Sequence, residues 1–210
     1  MARRDRPQLR ERKKERTRAA IVEAAWRLFR EKGYEATTID EIADAALVAP
    51  RTFFRYFPAK EAVVFHRSAE RLALLHSLLA EGGKGFDAVT RACLGIARHY
   101  ARDREQVIEQ YRIVESSPTL RMTEGEIDRR WVAALAAALA TPAKPSGRAV
   151  QHAHPASRGA RAAEREARIL AGAVFGAMRA TLAEWIAGGG RADLVRLGTQ
   201  ALSIFDRGRA

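Results

Sequence analysis

The sequence has few of the residues that cross-link, stiffen or interrupt a chain: its 210 residues contain one cysteine, seven prolines and 7% aromatic residues. The single cysteine, Cys93, excludes an intrachain disulfide. The N-terminal run is charged and lacks the apolar stretch of a signal peptide, and the most apolar long segment, Ile169 to Ala187, is interrupted by Arg179 and Glu184. We therefore expect a cytoplasmic protein with no membrane-spanning helix.

Acidic residues are also scarce relative to basic ones, with 25 Asp and Glu against 37 Lys and Arg and a formal net charge of +12. Such an excess favours an anionic partner, double-stranded DNA first, although a solvated basic surface explains the excess alone equally well. Residues 1–18 hold nine of the basic residues and three acidic ones without apolar periodicity. We expect a flexible basic arm that either keeps the chain in solution or reaches DNA.

Alternating β-branched patterns are absent, and apolar residues recur at helical spacing throughout, which predicts an all-α fold. The first stripe runs from Ile21 to Phe29 and stops at Gly33. Thr38 to Glu41 spells a capping box that begins a short second helix. A third helix begins at Pro50 and ends at Pro58, with Phe53 and Phe57 expected in the core.

The rest of the chain is predicted to be helical except for residues 141–157, a loop rich in proline with glycine and serine. The expected helices run from Lys60 to the Gly82–Gly83 pair, then over 86–103, 105–116 and 124–140. Two more follow, one that contains Ile169 to Ala180 and ends near Gly188, and one over 194–205. His152 and His154 in the loop lack the companion ligands of a metal site. We expect neither a metal nor a cofactor.

Three closely spaced helices, the second one capped, are typical of a helix-turn-helix that presents its third helix to the major groove. If Phe53 and Phe57 point inward, Arg51 and Arg55 lie four residues apart on the outward side. Arginine can bond two acceptors on a guanine edge, so Arg51 and Arg55 are the predicted base-reading residues. Thr38 and Lys60, at the starts of helices, are predicted to position phosphates.

The run TTIDEIADAALVAPRTFFRYFPAKEAVV, from Thr37 to Val64, resembles the TetR family of bacterial regulators. The resemblance implies a homodimer, a palindromic operator, and release from DNA when a small molecule fills a larger C-terminal domain. It carries DNA-binding roles to these positions: Thr38, Pro50, Arg51, Thr52, Phe54, Arg55, Tyr56 and Lys60.

The sequence departs from the family pattern at three positions. Leu47 occupies a turn position usually given to glycine, where a positive φ would cost a bulky residue about 1 kcal/mol. Ala49 replaces the usual Ser or Thr, so the third helix lacks a side-chain cap. Phe54 lacks the hydroxyl of the commoner tyrosine.

Beyond residue 64 the resemblance rests on helix number and length. Gly172, Gly176 and Ala180 are spaced by four, which allows close approach of another helix from the same chain or from a second subunit, and the resemblance favours the second subunit. Aromatic and soft apolar residues of this region are expected mostly in the core, some of them lining a cavity. The candidate ligand-binding residues are Tyr100, Tyr111, Trp131, Phe175 and Met178.

The sequence therefore predicts a DNA-binding domain over residues 1–58 and a helical ligand-binding and dimerisation domain over residues 59–210. We expect a homodimeric repressor released by a small hydrophobic or amphipathic effector. Similarity in helix lengths to family members that sense acyl-CoA-like or other hydrophobic molecules suggests an acyl-CoA-like molecule. The alternative is a ligand-independent DNA-binding or architectural protein. An enzyme is disfavoured because no nucleophile–base set, phosphate loop or paired carboxylates emerge, and Cys93 near His99 is more simply a buried thiol.

Overall fold

The computed structural model describes residues 5–83, 85–140 and 158–206, and all regular structure within these ranges is helical, as predicted. The predicted loop 141–157, with His152 and His154, lies outside the described residues. The helices are α1 (Asp5–Lys32), α2 (Ile39–Ala45), α3 (Pro50–Tyr56), α4 (Glu61–Val64), α5 (Ser68–Glu81), α6 (Phe86–Arg102), α7 (Arg104–Glu115), α8 (Pro118–Ala140), α9 (Arg158–Ala187) and α10 (Leu194–Asp206).

The described residues form two compact units, which a single cut at residue 58 does not separate. Unit 1 comprises those of Met1–Arg67 together with Glu109–Glu124, and unit 2 comprises those of Ser68–Ile108 and Gly125–Ala210. Two features carry unit 1 past residue 58. Val63 and Val64 of α4 are buried, and so is Leu120 at the start of α8.

The core of unit 1 is built on the apolar stripe of α1, which packs against α2 and α4. Ile21 and Ala25 are fully buried on this stripe, as is Ile42 of α2. Gly33 then ends α1 with a φ of 86°, a conformation that glycine adopts without steric cost, and its N–H bonds the carbonyl of Phe29 at 3.0 Å. The predicted end of the first helix is confirmed.

The turn after α2 is a Schellman motif with a leucine at its left-handed position. The N–H of Val48 bonds the carbonyl of Ala43 at 2.9 Å, and the N–H of Leu47 bonds that of Asp44 at 3.0 Å. Leu47 has a φ of 55°, the only positive φ of a non-glycine among the described residues, and its side chain is 93% exposed. The positive φ inferred for this departure from the family pattern is present.

Three sequence-based expectations need correction. The basic arm is helical from Asp5, because α1 is one continuous helix of 28 residues. The predicted fourth helix is broken after Val64: the carbonyl of His66 accepts from Arg18 at 3.0 Å, and the ring of His66 packs on the edge of Trp26. The helix predicted from 124 begins instead at Pro118, where its first turn buries Leu120.

Unit 2 is a helical assembly in which α6 packs against α5 and α10, and α10 also packs against α9. Its apolar cluster includes Leu75 of α5, Val89 of α6, Val174 of α9 and Leu202 of α10. One segment, Gly159–Ala187, is long and apolar enough to cross a membrane by length and composition alone, a test that core helices of soluble proteins also pass. This segment contributes buried residues to the cluster of unit 2.

Candidate nucleic-acid interface

The short helix α3 is anchored through two phenylalanines. Phe53 and Phe57 are 0% and 2% exposed, and their ring centroids lie 5.9 Å apart. The guanidinium of Arg18 lies 5.3 Å from the centre of the Phe57 ring. A seven-residue helix has little stability of its own, so these contacts fix its orientation. The predicted core role of Phe53 and Phe57 is confirmed.

The opposite side of α3 is open to solvent. Arg51 and Arg55 are exposed, and no hydrogen bond or ion pair joins either guanidinium to another described side chain. The guanidinium of Arg55 lies 5.3 Å from the ring centre of Tyr56, which limits its conformational freedom. Two arginine forks therefore project from a rigidly anchored helix.

The remaining predicted residues of α3 surround this pair. Pro50 and Phe54 are exposed, while Thr52 and Tyr56 are half-buried. Pro50 occupies the first turn of α3, and Ala49 at the N-cap makes no side-chain hydrogen bond, as expected from its lack of a hydroxyl. The face that surrounds Arg51 and Arg55 is thus a mixed apolar and polar surface.

Thr38 forms the predicted capping box with Glu41. The N–H of Glu41 donates to the hydroxyl of Thr38 at 3.3 Å, and the N–H of Thr38 donates to the Glu41 carboxylate at 2.8 Å. Hydrogen bonds from Lys32 first, and then from Thr38, lower the pKa of Glu41 to about 2. The hydroxyl of Thr38 is exposed at the start of α2 but already donates to Glu41 at 2.8 Å.

Lys60 has an internal role that its sequence position did not reveal. Its ammonium donates to the carbonyls of Tyr34 and Thr37 at 2.7 and 2.8 Å and lies 4.1 Å from the ring centre of Tyr34. Burial lowers the pKa of Lys60, and burial with the nearby Glu61 raises that of Tyr34. Two of the three N–H groups of Lys60 thus hold the α1–α2 loop, and its phosphate contact stays a prediction.

The helix-turn-helix itself is not basic. From Thr38 to Phe57 the sequence holds three carboxylates, Asp40, Glu41 and Asp44, against the two guanidinium groups of α3, a formal charge of −1. Because phosphate contacts supply a large share of the affinity in protein–DNA binding, a DNA complex of this chain would draw positive charge from outside α2 and α3.

The predicted effector residues fall into two groups. Tyr100, Trp131, Phe175 and Met178 are partly buried and pack against the apolar cluster of unit 2. Tyr111 lies apart from them, in the 109–124 segment of unit 1. Sequence periodicity could not separate them, because it places a residue on a helix face and not in a unit.

Cys93 belongs to the apolar cluster of unit 2. Burial raises the pKa of its thiol to about 12, so the sulfur is protonated at neutral pH. The interpretation of Cys93 as a buried thiol is confirmed.

The fold and this surface define the class of the molecule: an all-α chain with a helix-turn-helix in its N-terminal region and a second helical unit. Residues 21–66 match the family model described as bacterial regulatory proteins, tetR family. The resemblance noted in the sequence is therefore confirmed for residues 21–66, which match the model of this family.

Similarity to individual proteins is strong locally and weaker over the whole chain. HTH-type transcriptional regulator TcmR of Streptomyces glaucescens is 53% identical over 57 residues, which are 27% of this chain and 25% of TcmR. The chain thus matches about a quarter of the length of that relative.

Two solved structures resemble this chain across most of its length. The fatty acid degradation regulator FadR from Bacillus halodurans has a TM-score of 0.62 at 20% identity, covering 90% of this chain and 93% of that chain. Thermus thermophilus FadR, a TetR-family repressor in complex with lauroyl-CoA, has a TM-score of 0.51 at 25% identity, covering 89% and 92%. The likeness to the Bacillus halodurans protein shows the fold alone.

Proposed function

We propose that this protein is a cytoplasmic TetR-like transcriptional repressor that binds a palindromic operator as a homodimer and leaves it when a small hydrophobic or amphipathic effector binds. The observation that carries the DNA-binding part is the pair Arg51 and Arg55, exposed on a helix that Phe53 and Phe57 anchor from behind. Arginine forks held in this way match the acceptor pairs of guanine in the major groove.

Selection of binding sites from random DNA with the purified protein tests this function. The wild type should recover an inverted repeat, because a two-fold symmetric dimer presents two α3 helices. Arg51→Ala should relax base preference at one position of each half-site at a cost of about 1–3 kcal/mol. Arg27→Ala is a matched control, since Arg27 is an exposed arginine of α1 in the same unit.

The result has clear readings. Loss of preference confined to Arg51→Ala supports base reading by α3. Recovery of no repeat by the wild type, or equal effects of Arg51→Ala and Arg27→Ala, contradicts the proposal.

The homodimer is supported by apolar surface left open on α9 and α10. Ile169 of α9 and Ile204 of α10 are 68% and 66% exposed. A Cβ added to Gly172 or Gly176 would meet no neighbouring atom of the described residues within 4 Å, so packing among those residues does not require glycine there. Close approach of a helix from a second subunit gives these glycines a role.

Analytical ultracentrifugation of a charged variant tests the dimer. Ala173→Arg places a guanidinium on the exposed face of α9 and should shift the protein toward monomer, because an unpaired charge at a helix contact is costly. Ala133→Arg, on an exposed position of α8, is the matched control and should stay dimeric. A monomeric wild type would contradict this part.

The proposed effector is acyl-CoA-like. Tyr100, Trp131, Phe175 and Met178 border one apolar cluster in unit 2, which suits an alkyl chain. The structure of Thermus thermophilus FadR, which resembles this chain along most of its length, is that of its complex with lauroyl-CoA. Both observations favour an acyl thioester over a small polar metabolite.

Operator affinity measured with lauroyl-CoA, laurate and free CoA tests the effector. Lauroyl-CoA should weaken binding most, and Phe175→Ala should blunt its effect while Tyr111→Ala, in unit 1, should leave it intact. If no compound changes the affinity although the operator is bound, the alternative of a ligand-independent DNA-binding protein is favoured.

A further inference from the structure

We propose that the N-terminal half of α1 is a second DNA-contacting element, whose face formed by Arg10, Lys13 and Lys14 binds phosphates flanking the sequence that α3 reads. We call this face the basic stripe. The inference rests on the proposed function, since it assigns a role in the same DNA complex. It concerns residues outside the segment that resembles the TetR family, which the family model matches over 21–66.

The register of α1 defines the basic stripe. Arg10, Lys13, Lys14 and Thr17 recur at i, i+3, i+4 and i+7, the spacing of one helix face. The residues eleven positions further on, namely Ile21, Ala24, Ala25 and Leu28, form the stripe that packs in unit 1. Eleven residues are close to three full turns, so both stripes lie on the same face of α1.

The exposure of this face changes along the helix. Ile21, Ala24 and Ala25 are buried, whereas every residue from Gln8 to Arg16 is exposed. Arg18 marks the transition: it donates to the carbonyl of His66, and its guanidinium lies beside Phe57, which caps α3. The basic stripe therefore continues, beyond the packed core, the face of α1 that lies against α4 and the end of α3.

The charge of this half of α1 supplies what α2 and α3 lack. Gln8 to Arg18 contains six basic residues and two acidic ones, a formal charge of +4, against −1 for Thr38 to Phe57. One acidic residue, Glu11, lies 3.5 Å from the ammonium of Lys14 in an exposed pair, which water and phosphate can readily replace. The largest positive charge in the described part of unit 1 therefore lies on this exposed half-helix.

The charge pattern is also unfavourable for a helix without a counter-ion. Arg10 and Lys14, Arg12 and Arg16, and Lys14 and Arg18 are like-charged pairs four residues apart, a spacing that destabilises a helix. Phosphates along a duplex would relieve this repulsion. A polyanion therefore fits the exposed half of α1 better than a partner whose surface is apolar or has few acidic groups.

The experiment compares two double variants that remove the same charge from opposite faces. Arg10→Gln with Lys14→Gln removes two of the three charges of the basic stripe, and Arg12→Gln with Arg16→Gln removes two charges from the other side of the same half-helix. The selected operator is titrated with wild type and both variants at several salt concentrations, and circular dichroism checks that each variant keeps its helix content. Glutamine preserves helix propensity, so the variants differ in charge.

Removing Arg10 and Lys14 should reduce the slope of log affinity against log salt by up to about 3.6 in the proposed dimer, because two contacts are lost in each subunit and each phosphate contact contributes about 0.9. The Arg12 and Arg16 variant should change the slope by much less. Sequence preference should be the same in all three proteins, because phosphate contacts carry no base information.

A second measurement locates the contact. Gln8 to Thr17 spans about 14 Å of helix, or about four base pairs. Removing four base pairs from each end of the duplex outside the selected repeat should weaken the wild type, and should weaken the Arg10 and Lys14 variant less.

Equal slope changes in the two double variants, or equal length dependence in wild type and the basic-stripe variant, overturn the inference while leaving operator binding by α3 intact. Failure of the wild type to select any sequence contradicts the proposed function itself. The two failures are therefore distinguishable.

Discussion

Replacing Leu47 by glycine should stabilise the protein. The backbone of Leu47 has a φ of 55°, a left-handed conformation that costs a residue with a Cβ about 1–2 kcal/mol. Its side chain is 93% exposed, so truncation forfeits almost no buried surface. Glycine adds conformational freedom to the unfolded chain, which offsets about 0.4–1 kcal/mol of the gain. The net increase in the free energy of unfolding should be about 0.5–1 kcal/mol.

Urea and thermal unfolding measure this change. For a chain of this size 1 kcal/mol shifts Tm by about 2–4 °C, so the melting temperature should rise by about 1–4 °C. Leu47→Ala is the control, because alanine removes the same exposed side chain but keeps the Cβ that creates the strain. A Leu47→Ala variant as stable as Leu47→Gly, or a destabilised Leu47→Gly variant, would refute the argument from backbone strain.

Three further predictions concern the same unit. Ala49→Ser should add the missing cap of α3 and raise the free energy of unfolding by about 0.5–1 kcal/mol, measured by urea unfolding with Ala49→Val as the uncapped control. Lys60→Met should remove two charge-assisted hydrogen bonds and cost about 1–3 kcal/mol of stability. A change of about 1.8 in the salt slope of operator binding, one contact from each subunit of the dimer, without loss of stability, would instead support phosphate contact. The pKa of Glu41 falls from 4.5 to about 2, so its contribution to stability is full above pH 4.5 and lost as the pH falls towards 2. Unfolding measured between pH 2 and 6 should show that Glu41→Gln flattens this acid dependence, and an unchanged pH profile would speak against it.

Most of the helix-turn-helix could be predicted from the sequence, because its signals are local. The capping box at Thr38, the stop at Gly33 and the inward pair Phe53 and Phe57 each follow from a few neighbouring residues. The strain at Leu47 could be inferred too, since the family places glycine in that turn.

Features that depend on distant residues could not be predicted in the same way. The break after Val64 has no glycine or proline to announce it, and the hydrogen bond that Arg18 donates to the carbonyl of His66 at this break joins residues 48 positions apart. For Lys60 the sequence predicted only a phosphate contact, because nothing nearby in sequence reveals the carbonyls that its ammonium binds. The helical arm was missed because a charged helix outside a core has no apolar periodicity.

In α3, the residues that hold the helix in place differ from the residues that face solvent, because the buried side chains are phenyl rings and the exposed ones include two guanidinium groups. Phe53 and Phe57 hold α3 in place, and neither Arg51 nor Arg55 takes part in that packing. If α3 reads DNA as proposed, substitution at the outward positions should change the preferred sequence without a matching loss of stability. For protein engineering, the outward residues of α3 can therefore be varied while Phe53 and Phe57 keep the helix in place.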